Sequence, residues 1–453
     1  MKKGFWCDLS TTQKIMLSFF LVIMLGSVLL ALPISSATGE AIPYIDALFT
    51  ATTSVCVTGL VTVTTATAWS VFGQVVILFL IQIGGLGVIT IMSGILIGLH
   101  RRIGLGDRML IQDAFNLNSL TGLVRFTKKV IIGTFVVEAV GALLYMTVFV
   151  PRFGARGIWI SIFNSVSAFC NAGMDIMGDN SLCDYATHPV INGVTEALII
   201  LGGIGYIVWW DVVRVLKNAK RQGIKCIRGL TFHSKLALSV TTLLIFIGAL
   251  LILICEYNNP LTIKEYSLFD KIQISLFQSV TTRTAGFATI DQQNLTNASA
   301  MVSIMLMFIG GSPVGTAGGV KTVTIAVLLI SAFATIRNEG EASVFRRAIS
   351  KESVSKAVAV VSMSFIIIFV STILLSAVTD ADSLDIFYET ASATATVGLT
   401  RNLTPSLNLW GKLIIIFTMY LGRIGPISLA IAFNTRKEVK NIIKNPVEEI
   451  HVG

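Results

Sequence analysis

The sequence has few charged residues and few of the residue types on which many enzymes depend. Only 13% of its 453 residues are Asp, Glu, Lys or Arg, whereas soluble domains carry roughly 25%. The four histidines are scattered without an HExxH motif, and the six cysteines include no CxxC pair. These absences argue against a soluble domain, a zinc site and a disulfide framework.

The rest of the composition is that of an integral membrane protein. Apolar residues make up 54% of the chain, and its mean hydropathy is +0.79. A helix needs roughly 20 apolar residues to cross the hydrocarbon core of a bilayer. The sequence predicts eight transmembrane helices, at residues 15–32, 71–99, 130–150, 191–216, 236–255, 300–333, 357–378 and 410–433.

The net charge of +9 comes from basic residues that follow membrane sidedness. Segments on one side of the predicted helices contain 25 of the 34 Lys and Arg residues, and segments on the other side contain six. Basic loops stay in the cytoplasm, so the pattern predicts a multi-pass protein of the cell membrane with both termini cytoplasmic, and it argues against nucleic-acid binding. A signal peptide, suggested by Lys2 and Lys3 before the first apolar stretch, is an alternative for the first helix.

A glycine recurs at the end of four similar loops on the less basic side. Gly59, Gly173, Gly286 and Gly398 are 114, 113 and 112 residues apart. The spacing predicts an all-α membrane fold of four helix, pore loop, helix repeats, all in one orientation around a pseudo-four-fold pore axis. The predicted units are 1–100, 101–220, 221–340 and 341–453, with pore loops at 43–60, 157–174, 268–287 and 384–399.

A second set of glycines recurs in phase with the first. Glycine pairs begin at Gly84, Gly202 and Gly310, and Gly422 takes the same place in the fourth unit. These glycines follow the loop glycines by 25, 29, 24 and 24 residues. Close helix packing of the GxxxG kind stays open as their interpretation.

The four loops are too short to cross a bilayer and too apolar for ordinary solvated loops. A half-helix that enters the membrane and returns as an extended strand fits both properties, if that backbone is buried in protein or lines an aqueous cavity. Four such half-helices would direct their C-terminal dipoles, each about −0.5 of a charge, at one point on the axis. That point favours a cation, and carbonyls of the returning strands would replace its water.

The loop residues resemble a known family. Thr396-Val397-Gly398 and Val57-Thr58-Gly59 resemble shortened potassium-channel filters, and segment 282–287 is similar to the third filter loop of the Trk/Ktr/HKT superfamily of potassium transporters. The four-unit plan covers nearly the whole chain and resembles the Ktr-type membrane subunits. The predicted filter residues are Val57, Thr58, Gly59, Asn171, Ala172, Gly173, Thr284, Ala285, Gly286, Thr396, Val397 and Gly398.

This resemblance implies potassium uptake through a channel-like pore, stimulated by sodium, in a homodimer with one pore in each protomer. It also implies a cytosolic ring of nucleotide-binding RCK subunits that controls opening. The chain has no Walker A motif, so we expect it to bind no nucleotide itself. None of the four loops has the full TVGYG of potassium channels, and we expect a less strict preference for potassium.

Arg283 precedes the third loop glycine and would repel a cation if it faced the pore. We predict that it supports the filter from behind and pairs with an acid, with Glu389 of the neighbouring loop as the candidate. A side chain that extends to the outer interface is the alternative.

The sixth predicted helix is too long for the membrane and is interrupted in its middle. Residues 300–333 would extend about 51 Å as one helix, and stretch 309–319 contains Pro313 and several glycines. We interpret the stretch as a gating loop below the filter, and the resemblance supports an intramembrane loop in the third unit. The predicted gate residues are Gly310, Gly311, Ser312, Pro313, Gly315, Gly318, Gly319, Lys321 and Arg423.

The two basic gate residues have alternative interpretations. Arg423 either forms a positive barrier below the filter or caps carbonyls of a broken helix. Lys321 does either of these or extends to the cytoplasm. For the whole chain, a cation symporter that works by alternating access is the alternative function, although inverted repeats and acids at the bilayer centre are not found.

Overall fold

The computed structural model describes residues 9–99, 104, 108–110, 112, 122–217, 223 and 228–425, and these residues are mostly helical. The helices of more than one turn are α1 (Thr11–Leu30), α2 (Tyr44–Cys56), α3 (Val71–Leu86), α4 (Val88–Gly98), α5 (Leu123–Phe153), α6 (Ala155–Cys170), α7 (Pro189–Gly203), α8 (Tyr206–Lys217), α9 (Phe232–Glu256), α10 (Leu268–Thr281), α11 (Asn297–Phe308), α12 (Thr322–Ile336), α13 (Lys351–Ser376), α14 (Ser383–Ala395) and α15 (Leu409–Ile424). A short helix covers Thr65–Ala68. Strands β1 (Ser343–Val344) and β2 (Arg347–Ala348) form a small antiparallel hairpin before α13.

The predicted all-α membrane class is confirmed. Helices α1, α5, α9 and α13 are each long and apolar enough to cross a membrane, and the bent pairs α3–α4 and α7–α8 also qualify among the described residues. The last predicted helix reaches residue 433, of which residues 426–433 lie outside the described part. The predicted unit boundaries at 100/101 and 220/221 lie outside it as well.

Hydroxyl side chains fix where three of the long helices begin. The Ser10 hydroxyl accepts a hydrogen bond from the Gln13 N–H at the start of α1, and Thr231 caps α9 in the same way. Ser350 caps α13. Each cap satisfies an N–H group that the helix itself leaves without a partner, which stabilises a helix start by about 1 kcal/mol.

The prediction that helices 71–99 and 191–216 are continuous is wrong. Helix α3 turns into α4 at Gly87 with a bend of 96°, and α7 turns into α8 with a bend of 102°. Gly87 and Gly205 have φ of 85° and 91°, which end a right-handed helix and favour glycine. Gly425, directly after α15, has φ of 88°. Each of these three glycines lies three residues after a glycine of the second set, so the recurring pattern marks helix breaks or helix ends as well as close packing.

The glycines that precede these breaks also allow close packing. A β-carbon at Gly84 would overlap the Val55 carbonyl near the end of α2, and one at Gly202 would overlap the Phe169 carbonyl near the end of α6. Gly422 has the same relation to Thr394 of α14. The long helices thus contact the backbone of the short ones where the latter end.

Candidate functional site

The short helices α2, α6, α10 and α14 end around one point. Each leads into a loop that ends at one of the recurring glycines, and the glycines form a closed ring. A β-carbon added at each glycine would contact the carbonyl oxygen of the residue before the next one: Ala172 from Gly59, Ala285 from Gly173, Val397 from Gly286 and Thr58 from Gly398. A β-carbon at Gly59 would lie 3.2 Å from Gly173 Cα, and one at Gly398 would lie 2.8 Å from Gly59 Cα. Any side chain at these positions would therefore overlap a neighbouring loop.

The backbone takes the same unusual turn in each loop. The residue two positions before each glycine is left-handed, with φ of 55° at Val57, 60° at Asn171, 70° at Thr284 and 52° at Thr396. Three of these residues are β-branched, for which this conformation is a genuine outlier. Such strain persists only where the surrounding structure enforces it, as it does at many functional sites.

The turn directs the N–H groups back to the short helices. The N–H of Thr58 donates to the Thr53 carbonyl at 2.8 Å, and the N–H of Val397 donates to Ser392 at 2.9 Å. Hydroxyls of the same two helix residues accept from the glycines: Gly59 N–H donates to Thr53 Oγ1 at 2.9 Å and Gly398 N–H to Ser392 Oγ at 3.0 Å.

The carbonyl oxygens of the loops are left without such partners. No described residue donates a hydrogen bond to the carbonyls of residues 57–59, 171–173, 284–286 or 396–398. A buried carbonyl without a donor is costly unless another positive group approaches it. Oxygen atoms gathered at the negative ends of four helices have the chemistry that favours a cation.

Side-chain contacts from the short helices, the loops and α15 join neighbouring units around the ring. Each bond joins one unit to the next: Ser54 Oγ to Met174 Sδ at 3.5 Å, Asn171 Nδ2 to Thr284 Oγ1 at 3.5 Å, Tyr388 OH to Gln292 Oε1 at 3.0 Å and Lys412 Nζ to Asp46 Oδ1 at 2.6 Å. The loops are therefore held to each other by side chains as well as by the short helices.

The predicted ion pair between Arg283 and Glu389 is wrong. Arg283 is buried and does extend away from the ring, but its Nη2 donates to the Gly310 carbonyl at 3.2 Å and its Nη1 donates to the Thr241 carbonyl at 3.4 Å. Glu389 instead accepts hydrogen bonds from the hydroxyls of Thr400 and Thr404. One backbone carbonyl of α9 and one at the start of the α11–α12 loop take the place of the expected acid.

Residues 309–321, between α11 and α12, lie against two of the ring-forming loops; we call them the intramembrane loop. Gly318 packs against the Thr396 side chain, since a β-carbon there would overlap Thr396 Oγ1. The Thr316 hydroxyl lies 3.2 Å from Asn171 Oδ1. Two filter-loop residues from different units thus contact the loop.

Backbone hydrogen bonds tie the intramembrane loop to the break between α7 and α8. The N–H groups of Ser312 and Thr316 donate to the carbonyls of Gly203 and Gly202 at 2.8 and 3.1 Å, and the Tyr206 N–H donates to Val314 at 2.9 Å. The end of α7 and the start of α8 thereby obtain the partners that the break removes.

Two basic side chains, one from α15 and one from the end of the loop itself, donate hydrogen bonds to carbonyls of the loop. Arg423 donates to the Thr316 carbonyl at 2.7 Å and to the Gly84 carbonyl near the end of α3. Lys321 Nζ donates to the Ala317 and Gly318 carbonyls at 2.6 and 3.3 Å. Arg423 therefore does cap a broken helix, and it joins that helix to the intramembrane loop.

Comparison with known proteins identifies the family. The family described as "TrkH: Cation transport protein" matches residues 8–444. The chain belongs to the TrkH family of cation transport proteins. The glycine ring and the intramembrane loop are therefore features of a member of a cation transport family.

The TrkH-family relatives include named potassium transporters. The chain is 40% identical to "Ktr system potassium uptake protein B" of Bacillus subtilis, over 99% of this chain and 98% of that protein. It is 39% identical to "Potassium/sodium uptake protein NtpJ" of Enterococcus hirae, over 100% and 99%. The crystal structure of "the Potassium Transporter TrkH from Vibrio parahaemolyticus" has the same fold, with a TM-score of 0.71, 17% identity and coverage of 94% of this chain and 86% of that one.

A buried polar network behind the glycine ring was not predicted from the sequence. Gln278 Nε2 of α10 donates to Gln292 Oε1 at 2.6 Å, and the Tyr388 hydroxyl of α14 donates to the same oxygen at 3.0 Å. Tyr388 lies ten residues before its loop glycine, a position that Phe49 and Phe163 occupy in the first two units. The single hydroxyl in that aligned position was the signal that could have indicated a bonded partner.

Proposed function

We propose that the protein takes up potassium ions across the cell membrane through a channel-like pore. The observation that carries this proposal is the ring of loop carbonyls that have no described hydrogen-bond donor, at the ends of four short helices. Membership of a cation transport family and full-length similarity to potassium uptake proteins support it.

The filter in this proposal consists of the three residues at the end of each loop. Their carbonyls replace the hydration shell of a potassium ion, and the helix dipoles favour its charge. Each loop supplies only this short stretch, so the filter has fewer carbonyl sites than a TVGYG filter and a weaker preference for potassium. The proposed ligating residues are Val57, Thr58, Gly59, Asn171, Ala172, Gly173, Thr284, Ala285, Gly286, Thr396, Val397 and Gly398.

The proposed gate is the intramembrane loop, with Gly310, Gly311, Ser312, Pro313, Gly315, Gly318, Gly319 and its last residue Lys321, together with Arg423. Its contacts with Asn171 and Thr396 support a position in the ion path beneath the filter. The positive charge of Arg423 adds an electrostatic barrier in that position. Opening requires the loop to release the Gly202 and Gly203 carbonyls, which are its ties to the α7–α8 break.

Arg283 and Glu389 support the filter in this proposal by different means. Arg283 ties the third loop to α9 and to the first residue of the glycine pair, through Thr241 and Gly310. Glu389 holds the segment after the fourth loop through two threonine hydroxyls. Both side chains are buried beside the ring without contacting its carbonyls.

Several finer points of the proposal rest on the family resemblance and on charge sidedness. Uptake is stimulated by sodium, two protomers associate as a homodimer, and a cytosolic RCK-type ring controls the gate. Both termini lie in the cytoplasm, because most basic residues lie on that side of the predicted helices.

The function is tested by reconstitution. Purified protein in liposomes with an outward potassium gradient and a valinomycin-free membrane should generate a potential that tracks the potassium gradient without a co-substrate. A transport rate that requires a second solute or a proton gradient would indicate the alternative, an alternating-access symporter. Absence of any cation flux by correctly inserted protein, with and without a ring subunit, would contradict both.

Replacing Tyr388 with Phe is expected to weaken selectivity without unfolding the protein. Phe occupies the aligned position in two other units, so a phenyl ring fits there, but Gln292 loses the phenolic donor at 3.0 Å. A buried hydrogen bond contributes about 0.5–1.5 kcal/mol, so the potassium-to-sodium permeability ratio should fall roughly two- to tenfold. Reversal potentials in mixed potassium and sodium solutions measure this ratio.

Tyr145→Phe is the matched control for this substitution. Its hydroxyl is also buried and bonds Thr195 at 2.5 Å, but between α5 and α7 and not between two short helices. If Tyr388→Phe, Tyr145→Phe and the unaltered protein have equal permeability ratios, the network does not contribute to the selectivity of the filter.

A further inference from the structure

We propose that a cleft between the start of α9 and the β1–β2 hairpin binds the phosphate group of an anionic phospholipid. The cleft has a volume of about 360 Å³ and is open to solvent. Its lining residues are Arg228, Gly229, Leu230, Thr231, Phe232, Lys235, Phe345 and Arg347. This site is separate from the filter and from the proposed gate.

The cleft presents unpaired positive charge. Arg228, Lys235 and Arg347 line it, and no carboxylate of a described residue lies within 4.0 Å of any of their charged groups. Asp211, which contacts the cleft residue Thr231, already pairs with Arg214 at 2.5 Å and accepts from the Thr231 N–H at 2.8 Å. Three cations without an acidic partner are a site for a phosphate.

Side-chain bonds to backbone carbonyls fix Lys235 and the segment that carries Arg228. Lys235 Nζ donates to the Arg228 carbonyl at 2.8 Å, so the segment before α9 is bonded to the first turns of the helix. Arg214 Nη2 donates to the Gly229 carbonyl at 3.1 Å from the other side. The first N–H groups of α9, a helix of 25 residues, add positive potential at the same end.

The hairpin supplies the third cation at the cost of backbone strain. Its two-residue turn, Phe345 and Arg346, has φ of 51° and 62°. A turn of this type strongly favours Asn-Gly, because both residues need positive φ. Phe345 is instead a large side chain that is 49% exposed on the rim of the cleft. Strain of this kind is retained where the side chains it positions have a use.

Apolar groups next to the cations favour a lipid over a free anion. Leu230, Phe232 and Phe345 line the same cleft as the three basic side chains. Both walls also lead into candidate membrane spans: α9 begins at Phe232, and α13 begins at Lys351, three residues after β2. The cleft thus lies where two helices enter the bilayer, which is the depth of the lipid phosphates.

Binding is tested by native mass spectrometry of the purified protein titrated with phosphatidylglycerol or with neutral phosphatidylcholine. The protein should bind phosphatidylglycerol preferentially, and Arg228→Gln/Arg347→Gln should weaken this binding roughly thirtyfold, since each basic residue contributes about 1 kcal/mol at an anionic surface. Arg346→Gln is the matched control, because Arg346 belongs to the same hairpin turn but does not line the cleft. It should keep at least a third of the affinity.

A second variant and a competition experiment separate the other outcomes. Phe345→Ser keeps all three cations and should still weaken phosphatidylglycerol binding several-fold, whereas a free-anion site would be unaffected. Displacement of the lipid by millimolar inorganic phosphate would assign the cleft to a soluble anion and overturn the proposal. Equal binding of the two lipids, or an equal loss in Arg346→Gln and the double variant, would overturn it as well. Gel filtration in detergent checks that each variant is folded.

Discussion

Gly398→Ala is expected to reduce potassium uptake to background while the protein still inserts in the membrane. The added methyl group would overlap the Thr58 carbonyl and lie 2.8 Å from Gly59 Cα, and φ at this position is 97°. A conformation so unfavourable for alanine costs about 1–3 kcal/mol even without the overlap. This cost lowers the population of the intact glycine ring roughly 5- to 150-fold. Rubidium uptake in a transport-deficient host, normalised to membrane protein, measures the effect.

Gly193→Ala is the control for this experiment. Gly193 lies in α7, its φ is that of a helix and an added β-carbon meets no atom within 4 Å. Uptake should be unchanged. Normal uptake by Gly398→Ala would show that the ring tolerates a side chain, and the proposed filter would then be wrong.

Deleting residues 311–315 is expected to increase potassium flux. The deletion removes the Ser312 and Val314 hydrogen bonds to the α7–α8 break. At about 0.5–1.5 kcal/mol for each bond, the equilibrium should shift to the open state by roughly 5- to 150-fold. Single-channel recording or liposome flux, without any partner subunit, gives the open probability.

Arg423→Gln is also expected to favour the open state and increase potassium flux, by a smaller change to the chain. It withdraws the donors to the Thr316 and Gly84 carbonyls and leaves the loop at full length. Arg337→Gln, at the exposed end of α12, is the charge-matched control and should not alter flux. Lower flux in both the deletion and Arg423→Gln, at normal protein abundance, would make the loop a structural element and not a gate.

The site could be located from the sequence because its glycines are irreplaceable. Each of the four recurring loop glycines has positive φ and contacts a neighbouring loop, so the constraint that the tertiary structure imposes is visible as a residue type at a fixed spacing. The break at residues 309–321 was equally readable, since Pro313 and clustered glycines are incompatible with a helix.

Other features of the site could not be predicted from residue type and spacing. Val57 and Thr396 are left-handed although β-branched residues disfavour that conformation, so no propensity argument could have found them. Arg283 was expected to need a carboxylate, and it is paired with the carbonyls of Thr241 and Gly310 instead. Backbone carbonyls can satisfy a buried cation as well as a carboxylate can, and only the tertiary structure determines which of them lies near it.

The sequence alone determined the membrane class, the recurrence of the loops and the regular spacing of their glycines, because hydropathy and backbone permissiveness are properties of single residues and short windows. The tertiary structure decided how the long helices break, which groups satisfy the carbonyls released at each break, and that the loop after α11 lies against two filter loops. These depend on contacts between residues more than 100 positions apart, such as Arg423 with Thr316. A pattern along the chain does not encode such distances.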